Sequence, residues 1–261
     1  MIIILRGHIR TSFNNKILYD FFKHVCDEYK DIEIYIHTWS IFQNNLSWRK
    51  IQNNNKMVKI EFIENYFYDI KHLIKKIIID DDNQIQLNGN LNGLIKGSLS
   101  PIKGWKNYWY GQYRIMKHIY DLSNDKNKNI LNIRFDLFYN PHAFSFSSVN
   151  NFIKKYINLS LKEIVFMNDK IFLGCDNCYF GNIESMYKLI HHFHYNLDVI
   201  LEEIGEIKHQ ETLVMIESSK IFNSSSKFTK QDVLNYINKI NNKDQALSNH
   251  KFINYALNKV V

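Results

Sequence analysis

The alternation of apolar runs with amphipathic segments constrains the fold of this chain more than any other feature of its sequence. Compact apolar runs, typical of strands, lie at 2–5, 32–37, 57–63 and 130–135. The segments between them carry apolar residues at helical spacing and are predicted helices at 13–29, 64–79 and 105–120. Strands that alternate with helices favour a parallel sheet, so we predict an α/β fold of Rossmann-like type. The mostly parallel sheet is expected to be flanked by helices.

The rest of the chain continues this pattern and shows no clear second domain. A strand pair is predicted at 163–167 and 170–173, and a helical C-terminal region follows, with helices at 182–204 and 229–240. Hydrophobic residues make up 45% of the 261 residues, enough for one sizeable core. We therefore predict a single domain over 1–261. The polar, glycine-containing stretch 80–104 is expected to be a flexible loop or an active-site lid.

Charge and cysteine content narrow the class of protein. The net charge of +7 suits an anionic partner, but the basic residues are spread along the chain and form no basic tail. Three cysteines make no disulfide framework, which indicates a reducing compartment. No run of 18 apolar residues is present, so no membrane-spanning segment is predicted. We expect a cytoplasmic protein and leave open a peripheral contact with the inner membrane face.

Basic residues follow the first predicted strand. Ligands of parallel α/β sheets bind beyond the carboxyl ends of the strands, where Arg6, Gly7, His8 and Arg10 lie. Glycine lets the backbone approach a ligand closely, and the basic side chains suit a phosphate. The segment matches neither the Walker nor the Rossmann glycine pattern, and an ordinary strand-to-helix turn remains the alternative.

Arg134 and Asp136 end another predicted strand and share one of its faces. An aspartate there suits Mg²⁺ or Mn²⁺, and an arginine beside it suits a phosphate. The alternative is an internal Arg134–Asp136 salt bridge. A rival acidic cluster at 80–82 is better explained as a solvated turn.

Two further candidates lie near the C-terminal third. Cys175 and Cys178, with His191 and His194 behind them, almost match zinc-finger spacing, but the histidine pair is one residue too close. We therefore favour no zinc there. Asp176 is a candidate general base or a simple turn residue. Glu211 is a weaker candidate base.

Several segments, taken in order, resemble one family. They are IIILRGHIRTSF, IEIYIHTWS, NYWYGQYRIMKHIYDL with ILNIRFDLFYN, CDNCYFGNIESMYKL and, more weakly, HQETLVMIE. This series resembles bacterial GT-A-type glycosyltransferases encoded in capsule and lipooligosaccharide loci. These segments total 72 of the 261 residues and are distributed in order between residues 2 and 217.

The resemblance implies transfer of a sugar from a nucleoside-diphosphate donor to a bacterial surface glycan. GT-A enzymes carry an Asp-x-Asp metal site at the corresponding strand end, so Asp136 is implied as a ligand of Mn²⁺ or Mg²⁺, with Arg134 in place of the first aspartate. Asp176 or Glu211 is implied as the group that takes the acceptor proton. The donor-binding residues implied are Arg6, Gly7, His8, Arg10, His37, Thr38, Trp39, Trp109 and Arg134.

Other functions stay open on the sequence alone. A related transferase or nucleotidyl enzyme would use the same donor site. A nucleic-acid-binding protein would exploit the positive charge, although no platform of interleaved basic and aromatic residues is recognisable and no nucleic acid is expected. A zinc-stabilised interaction module is the third alternative.

Overall fold

The computed structural model describes residues 1–47, 51–96, 98–139, 144–167, 175–203 and 210–223. The strands are β1 (Ile2–Arg6), β2 (Glu33–Trp39), β3 (Ile41–Gln43), β4 (Asn54–Met57), β5 (Ile74–Asp80), β6 (Asn129–Arg134), β7 (Val165–Phe166) and β8 (Cys178–Asn182). The helices are α1 (Ile17–Glu28), α2 (Ile60–Tyr66), α3 (Ile102–Leu122), α4 (Phe146–Tyr156), α5 (Ile183–Glu202) and α6 (Gln210–Phe222).

Within this part of the chain, six strands form one sheet in the order β5-β2-β1-β6-β8-β7. The pairs β5-β2, β2-β1 and β1-β6 are parallel, while β8 is antiparallel to both β6 and β7. β3 and β4 form a separate antiparallel pair. The predicted α/β fold with a mostly parallel sheet flanked by helices is confirmed.

Both faces of the sheet are covered, because the strands carry apolar side chains on both sides. Along β1, Ile2 and Ile4 pack in one apolar cluster with residues of α3, α5 and α6. Ile3 and Leu5 pack in a second cluster with residues of α1, α2 and α4. Continuous apolar strands of this kind are typical of parallel sheets buried on both faces. The same alternation places Arg6, the last residue of β1, on the side of Ile2 and Ile4.

The segment 57–79 differs from the prediction. The predicted strand 57–63 is instead the end of β4 and most of α2, and the predicted helix 64–79 ends at Tyr66. Its last part is β5, an edge strand that pairs with β2. The isoleucines of this segment recur at a helix-like spacing, but β-branched side chains also favour strands. The hydrogen-bonding edge of β2 decides between the two.

The other predicted elements agree more closely. α5 begins one residue after its predicted start, where the Asn182 side chain accepts a hydrogen bond from Ser185 N at 2.7 Å and the Ser185 hydroxyl accepts one from Asn182 N at 3.1 Å, a capping box. α1 starts at Ile17, four residues later than predicted, and α3 starts at Ile102, three residues earlier. The predicted strand 170–173 and helix 229–240 lie outside the described residues.

None of the helices in the described ranges is both long and apolar enough to cross a bilayer.

Candidate functional site

Three adjacent parallel strands bring basic residues to one level of the sheet. In the strand register Arg6 of β1 lies beside His37 of β2 and Arg134 of β6. Gly7 then turns the chain with a φ of +101°, a conformation that favours glycine, and its N–H donates to His37 O at 3.1 Å. Backbone pairing therefore fixes the relative positions of Arg6 and Arg134 at the carboxyl edge of the sheet, where β1 and β6 end.

Arg6 is almost fully buried, with 2% of its surface exposed. Its Nε donates to Asn132 Oδ1 at 2.7 Å, and its Nη2 donates to the backbone oxygen of Asp176. Its guanidinium carbon lies 4.7 Å from the centroid of the Tyr108 ring, a cation–π contact. These contacts hold a positive charge at a fixed position under the carboxyl edge.

Arg134 and Asp136 form the internal salt bridge that the sequence analysis left as the alternative. Arg134 Nε donates to Asp136 Oδ1 at 2.8 Å and Nη2 to Oδ2 at 3.0 Å, while Nη1 donates to Asn177 Oδ1 at 3.1 Å. Arg10 Nη1 reaches Asp136 Oδ2 at 2.5 Å. Burial favours a lower pKa for Arg134, but the negative charge of Asp136 outweighs this effect and raises the pKa. One carboxylate thus holds two guanidinium groups in place.

His8 lies beside these arginines and stays neutral. Its ring stacks on that of Trp39 with centroids 5.8 Å apart. The residue is partly exposed, but its Nε2 is buried. Burial lowers the pKa of His8 to about 3, and the positive charge of Arg10 adds to this effect. A neutral imidazole offers one donor and one acceptor to a ligand.

The carboxyl edge opens into a pocket with a volume of about 110 Å³. Small-molecule sites usually measure about 300–1,000 Å³, so this pocket admits a phosphate-sized group more readily than a whole nucleotide sugar. Of the predicted donor-binding and catalytic residues, eight line it: Arg6, Gly7, His8, Arg10, Trp39, Arg134, Asp176 and Glu211. We call Arg6, Arg10 and Arg134 the arginine wall.

The other predicted residues lie behind the pocket surface. His37 and Thr38 are buried, and His37 Nε2 lies 3.2 Å from Asp80 Oδ2. Trp109 is fully buried in the core, where it stacks on Phe193 with ring centroids 4.1 Å apart. Asp136 lies behind Arg10 and Arg134. A ligand in the pocket as it stands therefore does not touch these four predicted residues.

Asp176 and Glu211 are distant in sequence but meet at the pocket. Asp176 belongs to a short 3-10 helix at Cys175–Asn177 that packs against α6, which carries Glu211 in its first turn. Cys175 Sγ donates to the backbone oxygen of Glu211 at 3.1 Å. The two candidate bases thus face the same space as the arginine wall.

Sequence reasoning missed the side of the pocket formed at the start of α3. Ser100 precedes the helix, and Trp105, Asn107 and Tyr108 lie in its first two turns. Trp105 belongs to a row of aromatic residues along one side of α3, a pattern that is typical of a helix face buried in the core. The available signal was Asn107, a polar residue between two tryptophans on a helix that packs against the sheet. We call Ser100, Trp105, Asn107 and Asp176 the polar wall.

The donor set around Asp136 does not fit a divalent cation in this arrangement. Both of its oxygens accept hydrogen bonds from guanidinium groups, so a cation bound to them would meet two positive charges at close range. Across the described ranges, no group of three or more His, Cys, Asp and Glu side chains is placed to hold a metal ion.

The rival metal sites are also separated by the fold. Cys175 packs in the cluster on the α3 and α5 side of the sheet, and Cys178 packs in the cluster on the opposite side. Burial raises the pKa of both thiols, so they remain protonated. In the cluster 80–82, Asp80 binds His37 and Arg114, while Asp82 accepts a hydrogen bond from Asn44.

Comparison of the chain with models of protein families, with characterised proteins and with solved structures gives no match. The function therefore has to be argued from the geometry of the pocket.

Proposed function

We propose that this chain is a GT-A-like glycosyltransferase that moves a sugar from a nucleoside-diphosphate donor to a glycan hydroxyl. One observation carries the proposal: three arginines from two separate segments, Arg6 and Arg10 at the end of β1 and just after it and Arg134 at the end of β6, line one pocket at the carboxyl edge of a parallel sheet. Guanidinium groups pair with phosphate oxygens through a fixed fork of N–H donors. Such an edge is where α/β sheets bind nucleotides.

The arginine wall would stabilise the diphosphate that leaves the sugar. Its groups are already held by the protein, Arg6 by Asn132 and Arg134 by Asp136. Preorganised charges of this kind are usually the largest contribution to catalysis, because nothing has to reorient as the negative charge develops. His8, neutral beside them, would donate or accept one hydrogen bond.

Asp176 or Glu211 would take the proton of the acceptor hydroxyl if the reaction inverts the anomeric centre. Both line the same pocket as the arginine wall. A general base must lie within hydrogen-bond reach of the proton that it removes. Both residues line the pocket in which the diphosphate would bind, so an acceptor hydroxyl in this pocket would lie near them.

The use of the predicted cofactor, Mn²⁺ or Mg²⁺, is tested separately from the binding of the donor, by the comparison with EDTA below. The arrangement of Asp136 favours neutralisation of the diphosphate by arginine. The bacterial surface glycan as acceptor follows from the family resemblance, while a peripheral contact with the inner membrane face suits the net charge of +7.

A thermal-shift panel tests the proposal. The protein is mixed with UDP, GDP, CMP and their sugar conjugates, each with Mn²⁺ or with EDTA. A ligand at 100 times its Kd stabilises by about 2.7 kcal/mol, a readable rise in Tm. We expect a rise with one class of nucleoside diphosphate that persists in EDTA. A rise that requires Mn²⁺ would instead support Asp136 as a metal ligand.

A pair of matched variants shows where the ligand binds. Arg134→Gln and Arg114→Gln remove the same charge, but Arg114 lies outside the pocket and pairs with Asp80. We expect the nucleotide-induced rise in Tm to be lost in Arg134→Gln and kept in Arg114→Gln. Equal losses would indicate nonspecific charge attraction. The absence of any nucleotide effect, with steeply salt-dependent binding to DNA or RNA, would favour the nucleic-acid-binding alternative.

A further inference from the structure

The polar wall concentrates buried polar atoms that have no partner within the protein. All four residues line the pocket, and none is more than 5% exposed. Within the described residues, no hydrogen-bond partner is found for Ser100 Oγ, Trp105 Nε1, Asp176 Oδ1 or either amide atom of Asn107.

Nearly half of the unpaired buried polar atoms found in the described residues belong to this pocket. Thirteen buried side-chain polar atoms lack a partner across the described ranges, and six of them belong to residues that line the pocket, the sixth being His8 Nε2. Folded proteins pair nearly all buried polar groups, because an unpaired group loses its hydrogen bonds to water without replacement. Such atoms call for a partner that the chain does not supply, such as a water, an ion or a ligand.

The types of atom indicate the chemistry of that ligand. Trp105 Nε1 only donates, a carboxylate oxygen of Asp176 only accepts, and Ser100 and Asn107 do both. A phosphate supplies acceptors alone, and an ammonium group supplies donors alone. Either would leave part of the polar wall unpaired. A ring of hydroxyl groups supplies both functions at adjacent positions.

We propose that the polar wall is the subsite for an uncharged, hydroxyl-rich sugar ring, with Asn107 as its main specificity-determining residue. This inference rests on the proposed glycosyltransferase function, in which the arginine wall holds the diphosphate beside it. The pocket of about 110 Å³ must widen to admit the sugar. Widening then exposes the unpaired atoms of the polar wall to the sugar hydroxyls.

Asn107 shows both features of the polar wall, burial at the pocket and unpaired polar atoms, most directly. It is 4% exposed, it lies on α3 between the pocket and the core, and both its donor and its acceptor atoms lack a partner among the described residues. A sugar that presents two neighbouring hydroxyls pairs with both atoms of one amide. The orientation of those two hydroxyls would then decide which sugars bind.

The test compares Asn107→Leu with Asn150→Leu. Asn150 is also buried and also has an unpaired Oδ1 within the described part of the chain, but it lies on α4 outside the pocket. Calorimetry measures the Kd for UDP, GDP, UDP-glucose, UDP-galactose, UDP-N-acetylglucosamine and GDP-mannose. For Asn107→Leu we expect an unchanged Kd for the bare diphosphate and about tenfold to hundredfold weaker binding of its sugar conjugate. Asn150→Leu should change neither.

The same variants distinguish the donor sugar from the acceptor sugar. Methyl glycosides of glucose, galactose and N-acetylglucosamine are titrated with and without bound nucleoside diphosphate. If the sugar conjugates keep their affinity but a methyl glycoside loses its binding in Asn107→Leu, the subsite belongs to the acceptor. If both kinds of ligand bind the variant as they bind the wild type, the sugar subsite is refuted.

Failure of the proposed function gives a different result. A wild-type protein that binds no nucleoside diphosphate refutes the glycosyltransferase proposal. The methyl glycosides still test the polar wall in that case, and the absence of any sugar binding refutes the subsite as well.

Stability of the ligand-free protein provides a second readout. Leucine resembles asparagine in size and carries no polar atom, so Asn107→Leu should keep or raise the Tm. A clear fall in Tm would show that Asn107 is a structural residue and would contradict its role as the specificity-determining residue. If Asn107→Leu does not fold, Ser100→Ala removes a single hydroxyl, and we expect about fivefold to tenfold weaker binding of the sugar-bearing ligand.

Discussion

The two walls of the pocket differ in how completely the protein satisfies them. Each arginine of the arginine wall is held by other residues: Arg6 by Asn132, and Arg10 and Arg134 by Asp136. Polar atoms of the polar wall, within the described residues, have no such partners. Charges are costly to bury alone, whereas a hydroxyl or an amide can remain unpaired at a smaller cost. The protein therefore fixes the charged side of its pocket in advance. The exception on the polar wall is Asp176, a buried carboxyl whose Oδ1 has no partner within the described residues.

The walls also differ in the kind of structure that carries them. Arg6 and Arg134 end neighbouring parallel strands, where backbone pairing fixes their relative positions. Ser100 lies in the loop before α3, and Asp176 lies in a short 3-10 helix. Loops and short turns move more readily than the strands of a sheet. We expect the arginine wall to stay in place while the parts of the polar wall that carry Ser100 and Asp176 adapt to a ligand; Trp105 and Asn107 are carried by the helix α3.

The largest expected effect comes from breaking the arginine wall. Asp136→Ala leaves Arg10 and Arg134 without the carboxylate that holds them, and removal of one partner from a buried ion pair typically costs about 3 kcal/mol of unfolding free energy. Urea unfolding measures this loss. The matched control is Asp121→Ala, which removes an exposed ion pair with Lys117 and should cost less than about 1 kcal/mol. Equal losses would contradict a special role for the buried pair.

A smaller effect comes from the titration of His8, beside the arginine wall. The unfolded chain binds a proton at His8 with a pKa near 6.5, while the folded protein binds it only near pH 3. The unfolded state therefore binds more protons between these values, and His8 makes the folded protein less stable as the pH falls below 6.5. The loss between pH 6.5 and 5 is about 1–2 kcal/mol.

The variant His8→Gln isolates this contribution. His37 and His194, whose pKa values burial also lowers, are present in both proteins. The unfolding free energy of His8→Gln should therefore decrease less steeply between pH 6.5 and 5. An equally steep decrease in both proteins would show that His8 is already accessible to protons in the folded state.

The smallest expected effect is on the polar wall. Ser100→Ala removes a hydroxyl that has no partner within the described residues, so the unfolding free energy should change by less than about 0.5 kcal/mol. Chemical denaturation gives the value. A loss above 1 kcal/mol would show that the hydroxyl is already paired, and the contrast between the two walls would disappear.

The sequence predicted the arginine wall and Asp176, and it missed the part of the polar wall formed by Ser100, Trp105 and Asn107. Arg6 and Arg134 follow apolar strands, and strand ends are recognisable from the apolar runs before them. Asn107 lies in a helical segment whose aromatic residues indicate a core face. The polar Asn107 between two tryptophans is the one local signal, and it does not by itself distinguish a pocket from a buried polar residue of the core.

Two buried tryptophans show the same limit of prediction from the sequence. Trp39 and Trp109 were both predicted to bind the donor. Trp39 lines the pocket, whereas Trp109 stacks on Phe193 in the core. The partner of each tryptophan belongs to a distant part of the chain. Spacing along a helix or strand gives the face of a side chain but not the element that covers it.

The sequence by itself determined the α/β class, the strand ends that carry Arg6 and Arg134, and the capped start of α5. These features depend on hydrophobic periodicity, β-branched runs and capping residues, which act over a few neighbouring residues. Tertiary structure decided that the segment 74–80 is a strand, that Asp136 holds Arg10 as well as its neighbour Arg134, and that Asp176 and Glu211 share one pocket. Each of these depends on a partner more than thirty residues away or on the free edge of a neighbouring strand, so no local pattern could specify it.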